Sequence, residues 1–68
     1  MTKIETRKIG DEVINFYNVD GKGFKGVYGI ARRPSENQRK WVTDSAGKTI
    51  DSTSYEGMVV AGLLGLNC

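Results

Sequence analysis

The chain has 68 residues, a formal net charge of +2, one cysteine and no histidine. A single cysteine excludes an internal disulfide framework, and without histidine the chain lacks the ligands of a Cys- or His-based zinc site. We therefore expect one domain over residues 1–68, and a domain of this size buries little surface. With disulfides and zinc excluded, self-association remains available to stabilise it.

Residues 1–51 are predicted to be β-rich, because β-branched and aromatic residues recur there in short segments separated by turn residues. Asp20-Gly21 is predicted as a tight hairpin turn, Pro34 as the end of a strand, and Asp44–Gly47 as a further turn. The predicted strands are Lys3–Ile9, Val13–Val19, Phe24–Arg33, Arg39–Thr43 and Lys48–Asp51.

Residues 53–66 are predicted to form a helix. Thr53 and Glu56 have the spacing of a capping box, in which each side chain bonds to the backbone amide of the other residue. The helix should run from about Ser54 to Leu64 or Leu66, and a strand over Met58–Leu64 is the alternative. The expected fold class is α+β: a small antiparallel sheet of three to five strands with one C-terminal apolar helix packed on it. The predicted core comprises Ile4, Ile14, Phe16, Tyr28, Ile30, Trp41, Ile50, Val59, Leu63 and Leu66.

The segment Gly57–Cys68 carries no charge, so a helix there is apolar nearly all the way round. Such a helix is buried on more than one side. We expect one side to pack on the sheet and another to meet a second copy of the chain. The alternative is that the small residues only seat the helix on its own sheet. The predicted oligomer interface comprises Gly57, Val60, Ala61, Leu64 and Gly65.

Basic residues are concentrated between Lys22 and Lys40, where six cations accompany one acid, Glu36. Such a patch can contact an acidic protein surface, for which Arg and Trp are favoured anchors, or the phosphates and bases of a nucleic acid. A well-solvated hairpin is the simpler explanation. The predicted partner-binding residues are Lys22, Lys25, Arg32, Arg33, Arg39, Lys40 and Trp41.

Catalytic and cofactor motifs are incomplete. Residues Gly21–Gly26 match the dinucleotide fingerprint by letter, but they lie between two predicted strands rather than before a helix. Gly47-Lys48-Thr49 resembles the end of a P-loop, whose first glycine is replaced by Val42. We therefore expect no enzyme activity, no cofactor and no metal. The first residues lack an apolar signal segment, and the apolar run is too short to span a membrane, so we expect a cytoplasmic protein.

Three features together resemble DNA-binding domains with a three-stranded sheet and a helix, as in plant transcription factors and phage integrases. These features are Lys25-Gly26-Val27, Lys40-Trp41-Val42 and the helix after Thr53. The resemblance implies nucleic-acid binding. The sequence departs from that pattern in its short strand after Trp41 and in a helix without a polar face.

The first functional hypothesis is a small non-enzymatic protein that self-associates and regulates or inhibits another macromolecule by docking, as phage and mobile-element accessory proteins do. The alternative is a nucleic-acid-binding protein that uses the basic hairpin around residues 32–41. A weaker alternative is an oligomer that binds a small anionic ligand.

Overall fold

A computed structural model describes residues 2–37 and 39–66. It contains a four-stranded antiparallel sheet in the order β1-β2-β3-β4 and one helix, α1, which contacts β2, β3 and β4. This arrangement confirms the predicted α+β class. The elements are β1 (Lys3–Ile9), β2 (Glu12–Gly21), β3 (Phe24–Arg33), a short 3-10 helix (Pro34–Glu36), β4 (Arg39–Thr43) and α1 (Tyr55–Leu63).

The turn between β2 and β3 lies two residues later than predicted. Asp20 and Gly21 are still in the ladder, opposite Lys25 and Phe24. The chain reverses at residues 22 and 23, which have φ angles of 51° and 88°. A type I′ hairpin turn needs positive φ at both positions, and here Gly23 supplies one of them without a steric penalty.

The predicted strand over Lys48–Asp51 is reduced to an isolated bridge between Thr49 and Thr43. The bridge is formed by two hydrogen bonds of 2.9 Å, from the Ile50 amide to the Val42 carbonyl and from the Asp44 amide to the Lys48 carbonyl. The turn before it folds across one face of the sheet, because a Cβ atom at Gly47 would lie 3.4 Å from Ile14 Cδ1. This segment therefore covers part of the core instead of extending the sheet.

The N-cap of α1 is Ser54, one residue after the predicted cap. Ser54 Oγ accepts a hydrogen bond of 3.0 Å from the Gly57 amide. The Thr53 hydroxyl instead donates to Asp51 Oδ1, and Glu56 accepts a bond from Tyr28. The prediction of a capping box is therefore wrong, because Glu56 bonds to the sheet and the Ser54 side chain caps the helix.

The helix ends in a left-handed glycine, Gly65, with φ of +75°. The Leu66 amide donates to the Ala61 carbonyl and the Gly65 amide to the Gly62 carbonyl, which is the Schellman pattern. Gly65, a residue of the predicted oligomer interface, thus lies just beyond the helix and terminates it.

The core lies on both faces of the sheet, since side chains alternate between faces along each strand. The helix-side cluster contains Val19, Val42 and Val60, with Phe24, Tyr28, Ile50, Ala61, Leu63, Leu64 and Leu66 packed around them. The turn-side cluster contains Ile14, Phe16 and Ala31, with Val27 and Trp41 beside them.

The predicted core is confirmed in part. Ile14 and Phe16 are buried, but Ile4 is 45 % exposed, because it lies on the outermost strand, all of whose residues are exposed. The predicted set omitted four hydrophobic residues that the structure buries: Val19, Ala31, Val42 and Val60.

Candidate binding site around Trp41

Trp41 lies on β4, opposite Ala31 of β3, and its side chain is only partly buried. The guanidinium carbon of Arg33 lies 5.3 Å from the centre of the indole ring, and that of Arg39 lies 5.9 Å from it. Arg33 and Arg39 are opposite each other in the ladder, two positions away from the Ala31–Trp41 pair. Trp41 is therefore held by its own sheet while part of its surface stays available to a partner.

Arg33 is the centre of an ion-pair network. Its Nη2 atom donates to Glu12 at 2.6 Å and its Nη1 atom to Glu36 at 2.8 Å, while Asp11 lies 3.9 Å from Nε. The hydrogen bonds to Glu36 and Glu12 raise the pKa of Arg33 further above its ordinary value. Arg33 thus joins the β1–β2 turn to the β3–β4 connection, and its charge is compensated within the chain.

Two hollows flank Trp41, and both are also lined by Arg39 and Ser52. The first has a volume of about 380 Å³ and is bordered by Glu12, Arg33 and the segment Thr49–Ser52. The second has a volume of about 410 Å³ and lies between β4 and α1. Its lining adds Lys40, Val42, Gly57, Met58, Ala61 and Leu66.

Arg39 and Lys40 supply the available positive charge at this site. Both are exposed, and no carboxylate of residues 2–37 and 39–66 lies within ion-pairing distance of either. Lys40 is opposite Arg32 in the ladder, and Arg32 has an interaction of its own. Of the basic residues around Trp41, Arg39 and Lys40 are therefore the ones best placed to meet an acidic partner.

Lys22 and Lys25 do not belong to this cluster. Lys22 is in the β2–β3 turn and Lys25 is opposite Asp20, at the end of β3 farthest from Arg32. Lys25 and Arg32 are seven positions apart along the strand, a span of about 23 Å. The basic segment that is continuous in sequence is thus divided between the two ends of the sheet.

The residues of the predicted oligomer interface occupy different environments. Gly57 and Val60 are buried in their own chain, and a Cβ atom at Gly57 would collide with the Asp51 carbonyl oxygen. Ala61 and Leu64 pack against the helix-side cluster, and Gly65 is exposed beyond the helix. The small size of Gly57 is thus explained by contact within the chain, and self-association stays a prediction.

Sequence reasoning did not anticipate that Asp11 and Glu12 would join the basic cluster. Glu12 is opposite Ile9 at the start of β2, and Val13 is opposite Arg32, so the β1–β2 turn lies beside the end of β3. The available signal was the antiparallel pairing of three consecutive strands, which brings the first turn and the third connection to the same end of the sheet.

No protein-family model matches the chain, and no curated protein or solved structure matches it significantly. The resemblance to three-stranded DNA-binding domains therefore gains no support from these comparisons. Along the part of the chain that the structure describes, no helix is long and apolar enough to cross a membrane. Within the same residues, no three His, Cys, Asp or Glu side chains are grouped to hold a metal ion.

Proposed function

We propose that this chain is a non-enzymatic binding protein that regulates or inhibits another macromolecule by docking on it through the site around Trp41. The observation that carries the proposal is a partly exposed tryptophan between two hollows, beside two cations, Arg39 and Lys40, that have no carboxylate partner among residues 2–37 and 39–66. Tryptophan and arginine are the residues most enriched at the energetic centres of protein interfaces. We further propose the cytoplasm as its compartment, because a single cysteine fits a reducing environment.

The chemistry of the site favours an acidic protein segment with an apolar side chain as the partner. The hollow between β4 and α1 has apolar walls formed by Met58, Ala61 and Leu66, with Arg39 and Lys40 beside them. An apolar side chain of the partner would bury surface in that hollow. A flanking carboxylate would pair with Arg39 or Lys40 without first breaking an ion pair within the chain.

Nucleic acid fits the same site less well. Three carboxylates, Asp11, Glu12 and Glu36, surround Arg33 and would repel a phosphate backbone. Nucleic-acid affinity grows with the number of phosphates that cations neutralise, and the distant Lys22 and Lys25 do not extend the cluster. Nucleic acid is therefore the less favoured partner.

The experiment is selection from a random peptide display library on the intact protein, followed by titration of the selected peptides. Trp41 is the single tryptophan of the chain, so its fluorescence reports binding at this site directly. We expect the enriched peptides to carry acidic residues beside an apolar one. The R39A/K40A double variant should bind them at least about tenfold more weakly, since each lost charge-assisted contact costs about 1 kcal/mol.

The matched control is K22A/K25A, which removes the same charge at the other end of the sheet and should leave the affinity unchanged. Equal loss in both double variants, or enriched peptides without acidic residues, would contradict the proposal. Retardation of an oligonucleotide at about 50 mM salt that R39A/K40A abolishes would replace it with the nucleic-acid alternative.

A further inference from the structure

The outer edge of β1 is open. β1 is first in the strand order, so it pairs only with β2 among the strands that the structure describes. All seven of its residues are exposed, including Ile9 at 49 %. An edge strand of this length presents unpaired N–H and C=O groups to any strand that matches it.

The pairing with β2 determines which backbone groups face outward. Ile9 and Glu12 flank a two-residue turn, and such flanking residues form a hydrogen-bonded pair. Hydrogen-bonded pairs alternate with non-bonded ones, so Glu5, Arg7 and Ile9 direct their backbone groups toward β2. Thr6 and Lys8 therefore direct theirs away from the sheet.

The charges of β1 match those of a second β1 running in the opposite direction. With Thr6 opposite Thr6, Glu5 of each copy is opposite Arg7 of the other, on the same face of the sheet. Glu5 and Arg7 already lie 3.4 Å apart within one strand, so the pairing would create a cluster of four alternating charges. Opposite charges in directly facing positions stabilise a strand pair.

We propose that the edge of β1 is a self-association surface, on which a second copy of this chain adds antiparallel with the two Thr6 residues at the two-fold axis. Shifting one copy by two residues would place Glu5 opposite Glu5 or Arg7 opposite Arg7. Shifting it by one would oppose outward-directed and inward-directed residues and prevent the ladder from forming. Charges usually protect an edge strand from pairing, but among the registers within two residues of this one the order of charges permits it alone.

The resulting dimer has one continuous sheet of eight strands with the two β4 strands at its outer ends. At about 4.8 Å per strand, the two Trp41 sites lie on the order of 30 Å apart and remain open. The proposal is independent of the docking proposal, because the two surfaces lie at opposite edges of the sheet.

The experiment is sedimentation equilibrium of the full chain and of two charge variants, E5K and R7E. E5K gives an edge with only positive charges at these two positions, and R7E an edge with only negative ones. We expect the wild-type chain to dimerise and each variant alone to do so about tenfold more weakly, since two attractive pairs become repulsive. Mixing the two variants should restore dimerisation, because the introduced lysine then faces the introduced glutamate, while the native Arg7 of one copy faces the native Glu5 of the other.

Arg7 also lies over the Phe16 ring, so R7E requires a thermal melt to show that it is folded. T6P is the second variant: it removes an outward N–H and the exposed side-chain bond from Thr6 to Asn15, but no backbone bond to β2, and we expect a folded monomer. K48E, an exposed charge reversal outside β1, should leave the dimer intact. A monomeric wild-type chain would overturn the proposal, as would a dimer that T6P leaves intact or that M58E, on the exposed side of α1, dissociates instead.

Discussion

At the scale of single residues, one hydrogen bond ties the helix to the sheet. The Tyr28 hydroxyl of β3 donates to Glu56 of α1 at 2.6 Å, across 28 positions of sequence. This bond, burial and the charge of Glu56 together raise the pKa of Tyr28 from 10.0 to about 12. Glu56 is thereby held in the first turn of the helix, where a negative charge also interacts favourably with the helix dipole.

This bond predicts a dependence of stability on alkaline pH. The folded chain favours protonated Tyr28, so the contribution is complete below pH 10 and is lost as pH rises toward 12. We expect Y28F to be less stable by about 1 kcal/mol at neutral pH, since a hydrogen bond to a charged group is lost. The difference should shrink between pH 10 and 12, as measured by urea unfolding of both proteins. Stability curves that stay parallel through this range would show that Tyr28 is not linked to Glu56.

At the scale of the helix, two glycines should respond in opposite directions to alanine. A Cβ atom at Gly57 would collide with the Asp51 carbonyl oxygen, a backbone atom that cannot turn away, whereas nothing lies within 4 Å of a Cβ atom at Gly62. We expect G57A to destabilise the protein by about 1–3 kcal/mol through overpacking. G62A should stabilise it by about 0.8–1 kcal/mol through helix propensity. Urea unfolding measures both, and a shift of the same sign in the two variants would contradict the placement of the helix.

The start of the helix provides a second matched pair of variants. Ser54 accepts from the Gly57 amide, while the exposed Thr53 bonds to Asp51. We expect S54A to lower the free energy of unfolding by about 1 kcal/mol and T53A to lower it by about half of that or less. The bonds from Thr53 lower the pKa of Asp51, so T53A should also raise that pKa, as measured by NMR titration. A larger loss in T53A than in S54A would restore Thr53 as the cap.

The elements were predictable where the signal was local. The bounds of Lys3–Ile9, Phe24–Arg33 and Arg39–Thr43 follow from short segments with β-branched and aromatic residues, and the structure confirms them. The β2–β3 turn was misplaced because Asp20-Gly21 and Lys22-Gly23 both suit a tight turn, and the register that pairs Asp20 with Lys25 decided between them. The cap was misplaced because Thr53 and Ser54 are both good caps, and Glu56 bonds across the molecule instead.

At the scale of the whole molecule, the candidate site was only partly predictable. Trp41, Arg39 and Lys40 were identified from residue type, and they do lie together. The charge at the site was not predictable from a window of sequence, because Asp11 and Glu12 reach Arg33 through the packing of three strands. Grouping cations that are near in sequence also included Lys22 and Lys25, which lie at the far end of the ten-residue strand β3.

The two core clusters also predict how the molecule unfolds. β2 contributes Ile14 and Phe16 to the turn-side cluster and Val19 to the helix-side cluster, so neither cluster can persist when this strand is lost. A domain of this size buries too little surface for either face to be stable alone. We therefore expect a single cooperative transition. Far-ultraviolet circular dichroism follows the helix, and Trp41 fluorescence follows the turn-side cluster.

The two signals should give the same urea midpoint in the wild-type chain. V60A truncates a fully buried side chain on the helix side alone. It should lower both urea midpoints together and reduce the free energy of unfolding by about 1–3 kcal/mol. A helix signal that is lost before the Trp41 signal would mean that the sheet is stable without the helix. In that case the bond between Tyr28 and Glu56 would be a local contact, and the hollow between β4 and α1 would open whenever the helix detached.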